Sequence, residues 1–156
     1  MALSEIYSID TSSLIHAGRL YPFDLFPTLW DNISSLIQNT TLYASEEVIV
    51  ELSKKDDDLF KWVKSMKNMS YPSIESVQGE VRKIVNEFTE FVDVENEKSR
   101  ADPYVIAIAK VTGGVVITQE RLKNNLDYPN IPDICKYYSI KYLSILDFLR
   151  AQNWKY

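Results

Sequence analysis

Four carboxylates are spaced along this chain as an alternating strand–helix protein would need them in order to bring them together: Asp10, Glu51, Asp102 and Glu120. Asp10 ends the apolar stretch Ile6–Ile9 and is followed by the hydroxyls of Thr11, Ser12 and Ser13. A charge at the tip of a buried strand is costly unless it is paired or bound to a metal. Glu120 follows the apolar run VVIT after one intervening residue, Gln119. Asp102 precedes Pro103 at the start of an apolar helix, and Glu51 lies about two turns into the helix that follows a second strand. Its spacing from Val48 and Leu52 puts Glu51 on the border of the buried stripe, whereas Glu47 points further outward. Two unit charges about 4 Å apart repel by about 4 kcal/mol at an effective dielectric near 20. Such a cluster calls for cations, and all-oxygen ligands favour Mg²⁺ or Mn²⁺. Plainer roles stand beside this one. Asp102 serves equally as an N-cap, Asp10 as the cap of a helix starting at Ser12 or Ser13, and Glu51 and Glu120 as solvated acids.

The single histidine, His16, excludes mechanisms and zinc motifs that need two. No nucleophile-elbow glycines flank a serine. His16 reads as an ordinary helix residue.

The elements that must position these acids are legible as short apolar runs between helical patterns. Strands are expected at Ile6–Ile9, Leu42–Ala44, Val115–Ile117 and Ile140–Leu143. Helical spacing covers Asp24–Ile37, Asp57–Met66, Ile74–Phe91 and Ile145 to about Gln152, with a short helix at Pro132–Tyr138. Ser45 is the N-cap of another helix, with Glu46 and Glu47 in its first turn. Asp102-Pro103 starts the next, and Gly113-Gly114 stops it and turns the chain into VVI. Strands alternating with helices imply parallel β-α-β units, right-handed crossovers and a helix–sheet–helix layering. In such a sheet ligands gather at the carboxyl ends of the strands. Asp10 and Glu120 belong to that edge, and so does the N-terminus of the helix begun by Asp102.

A chain of 156 residues is expected to form one domain with a sizeable core. Apolar residues at 46% and charged residues at 25% suit a soluble protein. One cysteine, Cys135, leaves no internal disulfide and fits a reducing compartment. The start MALSEIYSID lacks a basic signal region, and no apolar run is long enough to span a membrane, so a cytoplasmic protein is expected. A net charge of −5 argues against a broad basic surface for nucleic acid but leaves room for a local patch. Arg19, Arg100, Arg121 and Lys123 lie close in sequence to the four acids and are phosphate-contact candidates, with a solvated surface as their alternative. The aromatics of YPFDLFPTLW read as core or partner interface rather than as a base-stacking surface. Lys54–Asp58 reads as a solvated helix junction.

Taken together, IDTSSLI, EEVIVEL, ADPYVIAIA and GGVVITQE, in that order and spacing, resemble the PIN-domain family over nearly the whole chain. The segments YPFDLFPTLW, KKDDDLFKW and NIPDIC resemble a toxin-like, VapC-type bacterial and archaeal PIN-like subfamily. The resemblance implies residues 1–156 as one PIN-like domain, with a three-layer α/β/α fold around a mainly parallel sheet of four to five strands. It implies a metal-dependent ribonuclease whose acids match Asp10, Glu51 and Asp102. At the fourth position the family has Asp or Asn, and Glu120 departs from it. Asp133 is a candidate substitute or helper, or a plain helix cap. Thr11, Ser12 and Thr118 would orient carboxylates or water around the ion. Implied partners are RNA, an antitoxin protein and a second copy of the chain.

Two other functions compete. A PIN-like binding module with a degenerate site would bind RNA or protein without turnover. A phosphotransfer domain with Asp10 as the phosphorylated group ranks last. One such family would want Asp at position 12, where Ser12 stands, and another would want paired acids before the nucleophile strand.

Overall fold

The computed structural model of the chain describes residues 5–93 and 100–156, so residues 1–4 of the N-terminal stretch discussed above lie outside it. Five parallel strands form one sheet in the order β3-β2-β1-β4-β5. They are β1 (Tyr7–Ile9), β2 (Leu42–Ser45), β3 (Ser70–Tyr71), β4 (Val115–Ile117) and β5 (Tyr142–Leu143). Strands β1 and β4 are buried at every residue, as expected of a parallel sheet covered on both faces. The edge strand β3 was not expected, since two residues carry no periodicity.

The helices are α1 (Thr11–Leu20), α2 (Pro27–Gln38), α3 (Glu46–Lys55), α4 (Asp57–Lys64), α5 (Glu75–Glu87), α6 (Asp102–Thr112), α7 (Ile131–Tyr137) and α8 (Ile145–Ala151). Adjacent residues of β1 show how they layer. The Tyr7 ring meets Phe148 of α8 edge-on at 4.9 Å. The Ser8 hydroxyl donates to the carbonyl of Val105 in α6 at 2.8 Å. Consecutive strand residues point to opposite faces, so α6 and α8 lie on opposite sides of the sheet. The result is the three-layer α/β/α architecture. Helix α6 packs against β1, β2 and β4 and against α5 and α7. It is buried almost all round, at Pro103 and from Val105 to Ala109.

Local chemistry sets the helix ends. Ser45 accepts from the amide of Val48 at 3.1 Å, Glu46 and Glu47 stand at the positive end of α3, and Lys54 and Lys55 at its negative end. Helix α2 starts at Pro27, three residues later than its apolar spacing suggests. Proline is at home in a first turn, and its ring disfavours helical backbone at Phe26, where φ is −128° and ψ 50°. Gly113 ends α6 in the left-handed region at φ 69°.

Of the aromatics of YPFDLFPTLW, expected as core or partner interface, Trp30 is core, while Tyr21, Phe23 and Phe26 are half-buried and pack against it. Trp30 is buried, its indole N–H donates to the carbonyl of Tyr21, and its ring packs on Phe23 and Trp62. Among the described residues no helix is long and apolar enough to cross a membrane.

Candidate active site at the carboxyl edge of the sheet

The chain runs outward from β1 through β2 to β3, then returns to place β4 on the other side of β1. The gap between β1 and β4 is therefore the switch point of the sheet, where open α/β folds place their ligands. Asp10 stands at the end of β1 and Thr118 at the end of β4. The amide of Asp10 donates to the carbonyl of Ile117 at 3.0 Å, which sets the two ends side by side.

Asp10 is only 2% exposed. Its Oδ1 accepts from the amide of Ser13 at 2.8 Å, making it the N-cap of α1. Its Oδ2 accepts from the hydroxyls of Thr118 at 2.6 Å and Ser12 at 2.9 Å. Burial pushes its carboxyl above the usual range, against the lowering pull of those donors. Among the described residues no cation pairs with it. Thr118 also accepts from the amide of Glu120 at 3.1 Å, so one hydroxyl ties both acids to the strand ends.

Glu120 is half-buried, and its carboxyl is likewise raised by burial and by the charges of Asp10 and Asp133. Its Oε1 accepts from the amide of Ile131 at 2.8 Å. Asp133 is buried and holds the loop between β4 and α7: it accepts from the amides of Lys123, Asn124 and Asn130 at 2.6–3.2 Å. Cys135, fully buried beneath, has its thiol pushed up to about 12 by burial and by the charges of Asp10 and Glu120.

Glu51 belongs to a second group. Its Oε1 accepts from the amide of Ala101 at 3.3 Å, next to Asp102 in the first turn of α6, and Lys55 lies 3.9 Å from its Oε2. Among the described residues no three His, Cys, Asp or Glu side chains stand close enough to hold a metal ion. The four acids are thus brought to one edge as two groups, Asp10 with Glu120 and Glu51 beside Asp102. The first group offers two oxygen donors whose charges repel each other, and Asp10 is buried with hydrogen bonds from Ser12, Ser13 and Thr118 but no cationic partner among the described residues.

The remaining predicted residues divide. Ser12 and Thr118 touch Asp10, while the buried hydroxyl of Thr11 has no partner among the described residues. Arg19 lies in the last turn of α1, roughly 14 Å along the axis from Asp10 at about 1.5 Å per residue. Arg121 is exposed and follows Glu120 directly; Arg100 is exposed beside Ala101. His16 is a half-buried residue of α1. Glu47 departs from its outward placement: its Oε2 is buried with no hydrogen-bond partner among the described residues, and burial and Glu46 raise its carboxyl. Gln119 carried no signal in sequence, yet its side-chain oxygen accepts from the amide of Ile145 at 2.7 Å and anchors α8 to the same edge.

The fold has counterparts among known proteins. The chain belongs to the family described as Domain of unknown function (DUF4411), whose model matches residues 7–156. Fourteen chains of solved structures match it. One is a chain of the 2.2 Å structure of VapBC-1 from nontypeable Haemophilus influenzae, at a TM-score of 0.57 and 17% identity, over 90% of this chain and 98% of that one. That likeness is one of fold. No curated protein matches.

Proposed function

We propose that residues 1–156 form one PIN-like domain of the VapC-type, a cytoplasmic ribonuclease that hydrolyses RNA internally with Mg²⁺ or Mn²⁺. The observation that carries this reading is Asp10: a buried, uncompensated carboxylate at the switch point, beside a second acid. The PIN-like sequence pattern and the likeness of fold to a chain of VapBC-1 support it. Asp10 and Glu120, with Glu51 and Asp102 from the facing group, would hold the ion. When bound, the ion supplies activation of water and stabilisation of charge on the phosphate. Thr118 and Ser12 fix the orientation of the Asp10 carboxylate, and the burial of Asp10 strengthens its attraction for a cation. Arg121, and Arg100 at the N-terminus of α6, are the phosphate contacts this edge offers. An antitoxin and a second copy of the chain are the protein partners this reading carries.

The test is cleavage of mixed cellular RNA by the wild type and by Asp10→Asn, with Mn²⁺, Mg²⁺ or a chelator. Cutting that needs the metal and Asp10 supports the reading. No cutting by the folded, inhibitor-free wild type under either metal overturns it. The separation of the acids into two groups favours a second reading, a binding module that holds RNA or a partner without turnover; RNA bound but never cut would establish that one.

Thr118 gives a smaller, sharper prediction. Thr118→Val removes the hydroxyl that donates to Asp10 and accepts from Glu120, and is expected to lower the cleavage rate about 10–100-fold. Thr118→Ser keeps the hydroxyl and is expected to retain most of the rate. Equal rates for the two variants would remove Thr118 from the mechanism.

A further inference from the structure

Asp133, whose charge reaches Glu120, also lines a half-open pocket of about 350 Å³, together with Asn124, Asn125, Leu126, Lys136 and Tyr137. Its floor is built. Asp133 spends its oxygens on backbone amides of the loop, which fixes Asn124 in place with φ at 56°. Asn125 accepts from the amides of Asp127 and Tyr128 through Oδ1, leaving its NH₂ without a partner among the described residues. The side-chain amide of Asn124 makes no hydrogen bond among them. Tyr137 is half exposed but held: its ring meets Phe88 and Tyr138 edge-on at 5.2 and 5.0 Å, and its hydroxyl donates to Glu87. Lys136 is exposed and has no ion-pair partner among the described residues.

We propose that this pocket binds one nucleotide of a single-stranded RNA, with its base stacked on Tyr137, its edge read by Asn124 and Asn125, and a phosphate on Lys136. The chemistry favours this ligand over an apolar peptide. Its lining is mainly apolar, as a stacked base requires, and it adds two amides with unused hydrogen-bonding groups and an exposed ammonium, which an apolar peptide would leave without partners. Its volume sits at the low end of small-ligand sites, enough for one nucleotide. A pre-positioned aromatic face with a neighbouring cation is how single strands are held, and amides suit base edges. The charge of Asp133 does not repel the phosphate as a free carboxylate would, because backbone N–H groups surround it. The pocket shares Asp133 with the acid site, since Asp133 also raises the carboxyl of Glu120. The proposal deepens the ribonuclease reading and rests on it for the identity of the polymer.

The experiment titrates the full Asp10→Asn chain, in chelator, with the four nucleoside 5′-monophosphates and with a short mixed-sequence single-stranded RNA. It follows the side-chain amide NMR signals of Asn124 and Asn125 and the affinity for the RNA. Shifts at those amides are expected with the monophosphates. Tyr137→Ala is expected to weaken RNA binding about tenfold or more, and Tyr137→Phe to retain it, because only the ring stacks. Lys136→Gln is expected to weaken binding and flatten its salt dependence. Amides that stay unshifted at millimolar nucleotide, or equal RNA affinity for Tyr137→Ala and Tyr137→Phe, would overturn the proposal and leave the pocket to a protein partner. Failure of the ribonuclease reading shows separately, as absence of metal-dependent cleavage in the wild type.

Discussion

Asp10→Asn is expected to reduce RNA cleavage by on the order of 10³-fold and, in the ion-free chain, to raise the unfolding temperature at neutral pH. The two effects have one cause. Asp10 is buried, receives hydrogen bonds from Ser12, Ser13 and Thr118, and has no cationic partner among the described residues. Burial wins over those donors, so its carboxyl titrates above its ordinary value of 3.8. Between that value and the raised one, the folded chain holds a proton that the unfolded chain has released. Stability contributed by this group therefore falls as pH rises through that window, and the penalty is complete above the folded value. Asparagine carries no such penalty. Its side-chain oxygen can still accept from the amide of Ser13 and cap α1. The advantage of Asp10→Asn in thermal midpoint should be widest at neutral pH and close toward 3.8. Thermal melts of both chains in chelator, from neutral to acid pH, read this directly. A chain that loses both activity and stability at neutral pH would make Asp10 a structural cap instead. Stability given up at a residue needed for function is a common trade at active sites.

How much of this could be seen in the sequence depended on whether a feature is local. Asp102-Pro103 and Gly113-Gly114 bracket α6 because backbone preferences act within a turn, but Asp102 is not the N-cap: it is the first helical residue, and Ala101 before it is the N-cap and makes no side-chain cap bond. Asp10 and Glu120 could be assigned to one edge because strand alternation with helices fixes direction. Arg19 shows the opposite case: nine residues from Asp10 in sequence, it is carried to the other end of α1 by the helix itself. The loop between β4 and α7 was not legible as a unit. Glu120 and Asp133 fold it through amides up to 11 residues away, and no periodicity marks such bonds. The one local trace was Asn130-Ile131-Pro132-Asp133, a capping pattern, and Asp133 does accept from the amide of Asn130. Nor could side-chain reach be read. Placing acids on one edge left open their division into two groups, with Glu51 drawn to the amide of Ala101.

The edge that aligns these groups rests on a turn at the opposite end of the sheet, where Gly114→Ala is expected to destabilise the chain by about 3 kcal/mol. A Cβ at Gly114 would lie 2.4 Å from the carbonyl oxygen of Ile6. That oxygen is backbone and cannot rotate aside. It is also the acceptor for the amide of Val115 at 2.7 Å, the first bond pairing β4 with β1. To fit the methyl, the chain must part the two strands whose far ends carry Asp10 and Thr118. Gly113→Ala next door is the control. A Cβ there meets nothing within 4 Å, and its cost is the left-handed backbone at φ 69°, about 1–2 kcal/mol. Chemical denaturation of the three chains should rank them wild type, Gly113→Ala, Gly114→Ala. Near-equal midpoints for the two variants would mean that the β1–β4 register has slack at this turn. Because the register also sets the bond from Thr118 to Asp10, Gly114→Ala should lose cleavage at temperatures where it is still folded, and Gly113→Ala should not.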